Sequence, residues 1–309
     1  MHGLHFKNRK GDSIVVLRWL DKHIKWVFTI PTILFVLAMI AFPILYTFYL
    51  SFFDSTLSAT KPPTFVGFDH YIEMFTDEDA RFLLAVWRTV WFSVVSLVVE
   101  MFLGVGIAIL LNRKFVGKGL VKTVFLLPMV ATPVAIGMVW TLIYQPTIGI
   151  ANYALKAIGL PAQAWLGSAD TALWSLIIVD IWQWTPMVML ITFAGISALP
   201  SDPYESAVVD GANPFQILTK ITLPLLTPTI LVAMLLRLVD VVKTFDIIYS
   251  TTQGGPGYAT ETMNILSYRQ SFENFQFGEA SATLIIFFII VMLIAVGFVK
   301  LKKKVQVDY

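Results

Sequence analysis

The 309-residue chain is 57% hydrophobic and 14% charged, with a mean hydropathy of +0.76 and a formal net charge of +2. A soluble domain carries about 25% charged residues, so this balance excludes a soluble enzyme and a nucleic-acid partner, and points to an all-α integral membrane protein. Cysteine is absent and only His2, His5, His23 and His70 are present, which excludes thiol catalysis, disulfides and cysteine-bearing metal sites; no metal site is expected.

Residues 1–25 form a basic tail with Lys7, Arg9, Lys10, Arg18, Lys22 and Lys25. The first apolar run, 26–53, exceeds the roughly 20 residues that cross a bilayer and is read as a retained span rather than a cleaved signal. Pro31 and Pro43 within it are tolerable in a membrane helix. A mostly acidic segment follows, with Asp54, Asp69, Glu73, Asp77, Glu78 and Asp79. The second span, 84–111, carries Glu100 at its middle and Gly104, Gly106 and Ala108 toward its end. An intramembrane carboxylate either bonds across a helix interface or faces a substrate, and both readings stand for Glu100. Arg113, Lys114, Lys118 and Lys122 make a short basic loop. The third span is 121–144, the fourth 172–196 after a turn-rich loop, the fifth 222–250 and the sixth 280–301, with a 302–309 tail. The transmembrane domain therefore occupies about 26–301, with about six transmembrane helices.

A polar interruption, 199–224, separates the fourth and fifth spans. Asp202 can cap a helix with Pro203 at its first position and Glu205 reaching back; Asn213, Pro214 and Gln216 repeat that arrangement. Gly211 stands where a helix end favours a left-handed residue. Two short helices joined by a tight bend are expected, too short to be stable unless packed on something. Ala207 and Ala212 permit close approach, and Tyr204, Val208 and Phe215 offer apolar contact.

The positive residues set orientation. The N-terminal tail, the 112–122 loop, the two-helix loop and the C-terminal Lys300, Lys302, Lys303 and Lys304 fall on one side. The opposite loops hold only Lys61, Arg81, Lys156 and Arg269. The positive-inside rule makes the first set cytoplasmic, with both termini inside.

Two spans carry polar faces. Asp180, Gln183, Trp184 and Met187 recur at i, i+3, i+4 and i+7, placing a carboxylate, an amide, an indole and a thioether on one side of the fourth span. Such a face suits either a hydroxyl-rich, ring-bearing ligand or an interface with a companion subunit. In the fifth span, Arg237, Asp240, Lys243 and Thr244 are spaced to neutralise one another, with Asp246 and Arg237 free to snorkel toward an end. Asp240 and Thr244 share a more central face and are candidate pathway residues.

The segment Glu205-Ser-Ala-(two residues)-Asp210-Gly211-Ala212, followed by Ile221, Leu223 and Pro224, resembles the "EAA" loop of ATP-binding-cassette (ABC) importer permeases. Phe65-Val-Gly-Phe-Asp-His-Tyr71 resembles a family segment that follows its first span, with Asp69-His70 where Asn is usual. Lys243 to Pro256, Thr260-Glu-Thr262 and Tyr268-Arg-Gln-Ser-Phe272 are similar to the carbohydrate-uptake subfamily, and within it to the larger permease subunit of the maltose transporter. The resemblance implies a type I ABC importer permease architecture with a cytoplasmic coupling helix, seated multi-pass in a bacterial inner membrane. It implies a heterodimer with a second permease, two ATPase subunits that carry ATP and Mg, an extracytoplasmic solute-binding protein and a sugar or polyol cargo. This chain has no phosphate-binding loop of its own and no cofactor is expected on it. By the same resemblance, Tyr204, Glu205, Ala207, Asp210, Gly211, Ala212 and Phe215 dock the ATPase, and Asp180, Gln183, Trp184, Met187, Asp240, Val241 and Thr244 line the substrate pathway. The identities differ from the maltose relative at nearly all pathway positions, so location carries over and substrate does not. Glycerol phosphate is the alternative cargo. A proton-coupled secondary transporter would need two related halves, which the spans do not show; a membrane enzyme lacks any nucleophile–base pattern.

Overall fold

A computed structural model describes residues 10–56, 62–77 and 80–305. The first nine residues of the basic tail, with Lys7 and Arg9, lie outside that range, as do Lys61, Glu78 and Asp79. The chain runs α1 (Lys10–Leu50), a two-residue hairpin β1 (Phe53–Asp54) and β2 (Thr64–Phe65), α2 (Asp69–Thr76), α3 (Arg81–Asn112), α4 (Lys118–Val130), α5 (Pro133–Ile143), α6 (Ile150–Ala157) and α7 (Ala169–Ser197). There follow α8 (Asp202–Val209), α9 (Pro214–Ile217), α10 (Leu223–Val242), α11 (Asp246–Thr251), α12 (Met263–Tyr268) and α13 (Phe277–Val305). Among the described residues, five helices are long and apolar enough to cross a membrane, or six spans if the bent α4–α5 pair counts as one.

The boundaries differ from the sequence expectation where local chemistry competes with hydropathy. Residues 10–25, expected as tail, begin the first helix. The third span is broken between α4 and α5 by a 99° bend. Pro133 opens α5 and drives Thr132 before it into extended backbone (φ −66°, ψ 142°), with Ala131 extended too. The fifth span, expected at 222–250, is a helix over Pro214–Val242. A π-turn, Leu218–Thr222, joins α9 to α10, and Leu223 N–H reaches Leu218 O five residues back. That register accommodates Pro224, which has no N–H to give a regular turn. The second helix of the polar interruption is thus the start of the span itself. The loops expected as irregular contain α6 and α12.

The centre of the molecule is a bundle of α3, α7 and α10, with α13 alongside α10 and α12, and α1 lying against α13. Side-chain size sets how near these helices come. A Cβ at Gly104 would sit 2.6 Å from Val188 Cβ on α7, and one at Gly195 would sit 2.7 Å from Thr229 Cγ2 on α10. Ala108 and Ala233 are fully buried in the same seams. In contrast, α1 shows large side chains outward, Phe28, Phe35 and Phe42 being 65–72% exposed. Without solvent to reward burial, helices in lipid associate through such close small-residue contacts.

Two buried polar side chains order the loops at one end. Asn152 bonds Pro146 O, Gln163 O, Gln163 N–H and Trp165 Nε1–H, which folds 145–168 over α5 and α7. Glu261 accepts two bonds of 2.8 Å from Arg81 at the start of α3 and one from Arg269, and the Tyr258 ring packs under both guanidinium groups.

Replacing Gly104 by Leu is expected to lower the thermal midpoint of the detergent-solubilised protein, since overpacking costs about 1–3 kcal/mol. Gly106→Ala meets no atom within 4 Å and should leave the midpoint unchanged or slightly raised.

Candidate substrate pathway and coupling site

The deepest polar group is a triad spanning three helices. Arg237 of α10 donates from Nε to Glu100 Oε2 of α3 (2.6 Å) and from Nη2 to Glu100 Oε1 (2.9 Å). Nη2 also donates to Asp180 Oδ2 of α7. The three side chains are 0–1% exposed. Trp184 stacks its ring 5.2 Å from the Arg237 Cζ. Arg237 therefore neither snorkels nor pairs with Asp240 as its local spacing suggested. Two carboxylates on neighbouring helices out-compete a single half-exposed one on its own helix, because the attraction is stronger where water is absent. Glu100 makes the interhelical bond that was one of its two readings.

Beside the triad lies a cavity of about 290 Å³ lined by Pro133, Asp180, Trp184, Arg237, Asp240, Lys243, Thr244, Phe245, Asp246 and Ile247. It exists because α10 stops at Val242: Lys243 leaves the helical region, and Asn264 Nδ2 donates to the freed Lys243 carbonyl (2.6 Å). Lys243 Nζ rests 3.7 Å from Asp240 Oδ1 with both groups about half-exposed. Asp180 Oδ1 is buried and has no hydrogen-bond partner among the described residues. Counting Glu100 behind it, the cavity wall sets four carboxylates against the two cations Arg237 and Lys243.

The sequence-predicted pathway residues divide here. Asp180, Trp184, Asp240 and Thr244 come together on the cavity. Gln183 does not line it; its Nε2 donates to Ala131 O (3.3 Å), the carbonyl freed by the break in the third span. Val241 is buried among core residues, and Met187 is half-buried away from the cavity. Asp246, read as a snorkelling end charge, lines it from the first turn of α11. Sequence reasoning missed Phe245, which stacks on Tyr249 at 5.1 Å and packs on Tyr268 at 5.2 Å. Its i,i+4 spacing to Tyr249 beside Asp246 was the available signal.

At the other end of α10 is the polar interruption. The first helix begins at Asp202 with Ser201 as its cap, rather than with Asp202 in that place. It ends in a Schellman turn: Ala212 N–H bonds Ala207 O (2.9 Å), Gly211 N–H bonds Val208 O (3.1 Å), and Gly211 takes φ +73°. Asn213 and Gln216 form the expected capping box, at 2.8 and 2.9 Å. Ala207 is buried, and Tyr204 donates its hydroxyl to Thr222 Oγ1 (3.2 Å), which seats α8 on the membrane bundle. Glu205, Asp210 and Gly211 are exposed and Ala212 half-buried. Val208, Val209 and Phe215 are 67–87% exposed, an apolar patch on a polar loop.

A family model described as "Binding-protein-dependent transport system inner membrane component" matches residues 100–303, which contain the triad, the cavity and this loop. The chain belongs to that family. It is 33% identical to the trehalose/maltose transport system permease protein MalF of Thermococcus litoralis, over 92% of this chain and 95% of that one. It is 31% identical to the trehalose transport system permease protein SugA of Mycobacterium tuberculosis H37Rv, over 92% and 90% of the two chains. A crystal structure of a bacterial ABC transporter that imports the acidic polysaccharide alginate shares the fold, with a TM-score of 0.82 and 23% identity over 94% of this chain and 99% of that one. The protein is a multi-pass inner-membrane permease subunit of an ABC importer, and its relatives are transport subunits rather than enzymes.

Removing Arg237 tests the triad. Arg237→Met leaves two uncompensated carboxylates inside the bundle and should cost about 3–5 kcal/mol, read as a sharp fall in thermal midpoint or in yield of the assembled protein. Lys243→Gln, at a half-exposed pair, should change stability by less than about 1 kcal/mol.

Proposed function

We propose that this chain is one of two homologous permeases in a binding-protein-dependent ABC importer, and that its cargo is an uncharged carbohydrate. The observation that carries the cargo assignment is the wall of the cavity beside the triad. An unpartnered Asp180 oxygen next to the Trp184 ring offers a hydroxyl acceptor and a surface for a sugar's apolar face. The excess of carboxylates over cations there repels an anion, and the guanidinium of Arg237 is already engaged by Glu100 and Asp180. Relatives named for trehalose and maltose transport support a neutral sugar. Half-exposed Lys243 favours the second reading, glycerol phosphate, because it alone of the cavity's cations is free to meet a phosphate without leaving a buried partner.

The exposed patch of Val208, Val209 and Phe215 with Glu205, Asp210 and Gly211 is the surface that docks an ATPase subunit, with Tyr204, Ala207 and Ala212 holding it to the bundle. The excess of Lys and Arg on the same side of the spans makes that side cytoplasmic. ATP and Mg belong to the two ATPase subunits, and a solute-binding protein delivers cargo to the opposite side. Closure of the ATPases moves the docked loops together and rocks the spans between inward- and outward-open arrangements.

The test is ATPase activity of the complete complex in lipid with its binding protein, screened against neutral sugars, polyols and glycerol phosphate. One neutral sugar is expected to stimulate hydrolysis, Lys243→Gln to preserve that stimulation, and Gly211→Pro to abolish it, since proline cannot adopt φ +73°. Stimulation by glycerol phosphate that Lys243→Gln removes would instead establish the second reading.

A further inference from the structure

A second groove, of about 550 Å³, opens between α3, α4 and α7. Leu103 and Ile107, Val124, Phe125 and Pro128, and Trp182 form most of its wall. Of these, Val124, Phe125 and Trp182 are 40–54% exposed, so nothing among the described residues covers it. It does not belong to the substrate pathway. Trp182 stands two residues from both Asp180 and Trp184, about 200° around the helix at 3.6 residues per turn. The groove therefore lies on the side of α7 that faces away from the cavity, toward the bilayer.

One end of the groove is strongly basic. Lys114 lies two residues beyond the end of α3, whereas Arg113 turns to a separate cavity that it lines with Tyr204 and Pro214. Phe125, also on the groove wall, is three residues from Lys122 and seven from Lys118, so the three share one face of α4. Lys118 and Lys122 hold their ammonium groups 5.0 and 4.8 Å from the Phe193 ring of α7. No Asp or Glu occurs between Glu100 and Asp170. None of Lys114, Lys118 and Lys122 makes an ion pair among the described residues. A long apolar groove at membrane depth, ending at interfacial cations that have no carboxylate, matches an amphiphile with an anionic head.

We infer that this groove holds an acyl chain of an anionic phospholipid whose head group rests on Lys114, Lys118 and Lys122. Basic pockets at the membrane ends of helices select anionic lipids through charge. Here the apolar slot adds a fixed position for the chain, next to the break between α4 and α5. The occupied groove would brace α4 against α3, to which α4 is otherwise joined through α7.

The experiment uses the complete transporter in nanodiscs of equal phosphatidylglycerol and phosphatidylcholine, followed by a detergent wash and mass spectrometric counting of retained lipid. The parent should keep phosphatidylglycerol in preference to phosphatidylcholine. Lys118→Gln with Lys122→Gln should lower retained phosphatidylglycerol roughly tenfold or more, the scale of two interfacial lysines. Val124→Trp, which fills the slot and leaves the charges, should reduce both lipids. Retention of phosphatidylglycerol at the parent level in both variants would overturn the inference. So would efficient cross-linking of a single Val124→Cys, unique in this cysteine-free chain, to the second permease, because a protein helix would then occupy the groove. If the tryptophan variant fails to assemble, the surface lysine pair still decides the matter.

Discussion

One guanidinium inside the membrane bundle governs the rest of the structure. Arg237 is shared by Glu100 and Asp180, so α3, α7 and α10 are fixed to each other by charge where lipid offers no solvation. A buried triad of this kind contributes little net stability relative to an apolar core, but losing one member is costly. Its effect is to specify one arrangement. The three helices cannot slide or rotate independently without separating charges in a dry interior. Gly104 against Val188 and Gly195 against Thr229 enforce the same register through shape.

That rigidity links the two functional ends. The helix over Pro214–Val242 is 29 residues long, about 44 Å at 1.5 Å per residue. It begins at the Asn213–Gln216 capping box, beside the exposed Phe215, and ends where Lys243 and Thr244 open the cavity. In the proposed mechanism, displacement of the loop would be carried along this helix to the cavity wall. Because Arg237 ties this helix to α3 and α7, such a movement would be of a body rather than of one helix. The π-turn at Leu218–Thr222 is the place in that helix where the hydrogen-bond register departs from the regular pattern, close to the polar loop.

The triad also shapes the chemistry of the cavity. It turns Arg237 from an anion receptor into an internal counter-ion and presents the remaining oxygen of Asp180 to the cavity. Lys243 and Asp240, half-exposed at 3.7 Å, make a looser pair at the mouth. Phe245 and Tyr249 extend the aromatic surface beyond Trp184. A wall of carboxylate, hydroxyl and aromatic groups offers directional hydrogen bonds and ring contact, the chemistry on which the proposed neutral polyhydroxyl cargo rests.

The sequence by itself determined what depends on local pattern. Long apolar runs announced the spans, because a helix must satisfy its backbone within itself in lipid. The Asn213-Pro214-Gln216 and Gly211 signals announced a cap and a left-handed helix end, because both are written within a few residues. Asp180 and Trp184, and likewise Asp240 and Thr244, could be placed on common faces by helical spacing alone. Only the tertiary structure decided which of these charges meet. Arg237 lies 137 residues from Glu100 and 57 from Asp180, and a spacing rule that sees three or four residues paired it with Asp240. Gln183 read as a ligand-facing amide until the break in the third span supplied a free carbonyl for it. The end of α10 at Val242 was likewise hidden within the span expected at 222–250, since the Lys243 carbonyl is held by Asn264 from a distant part of the chain. Periodicity reports which side of a helix a residue occupies; partners across helices are set by packing, which no single stretch of sequence contains.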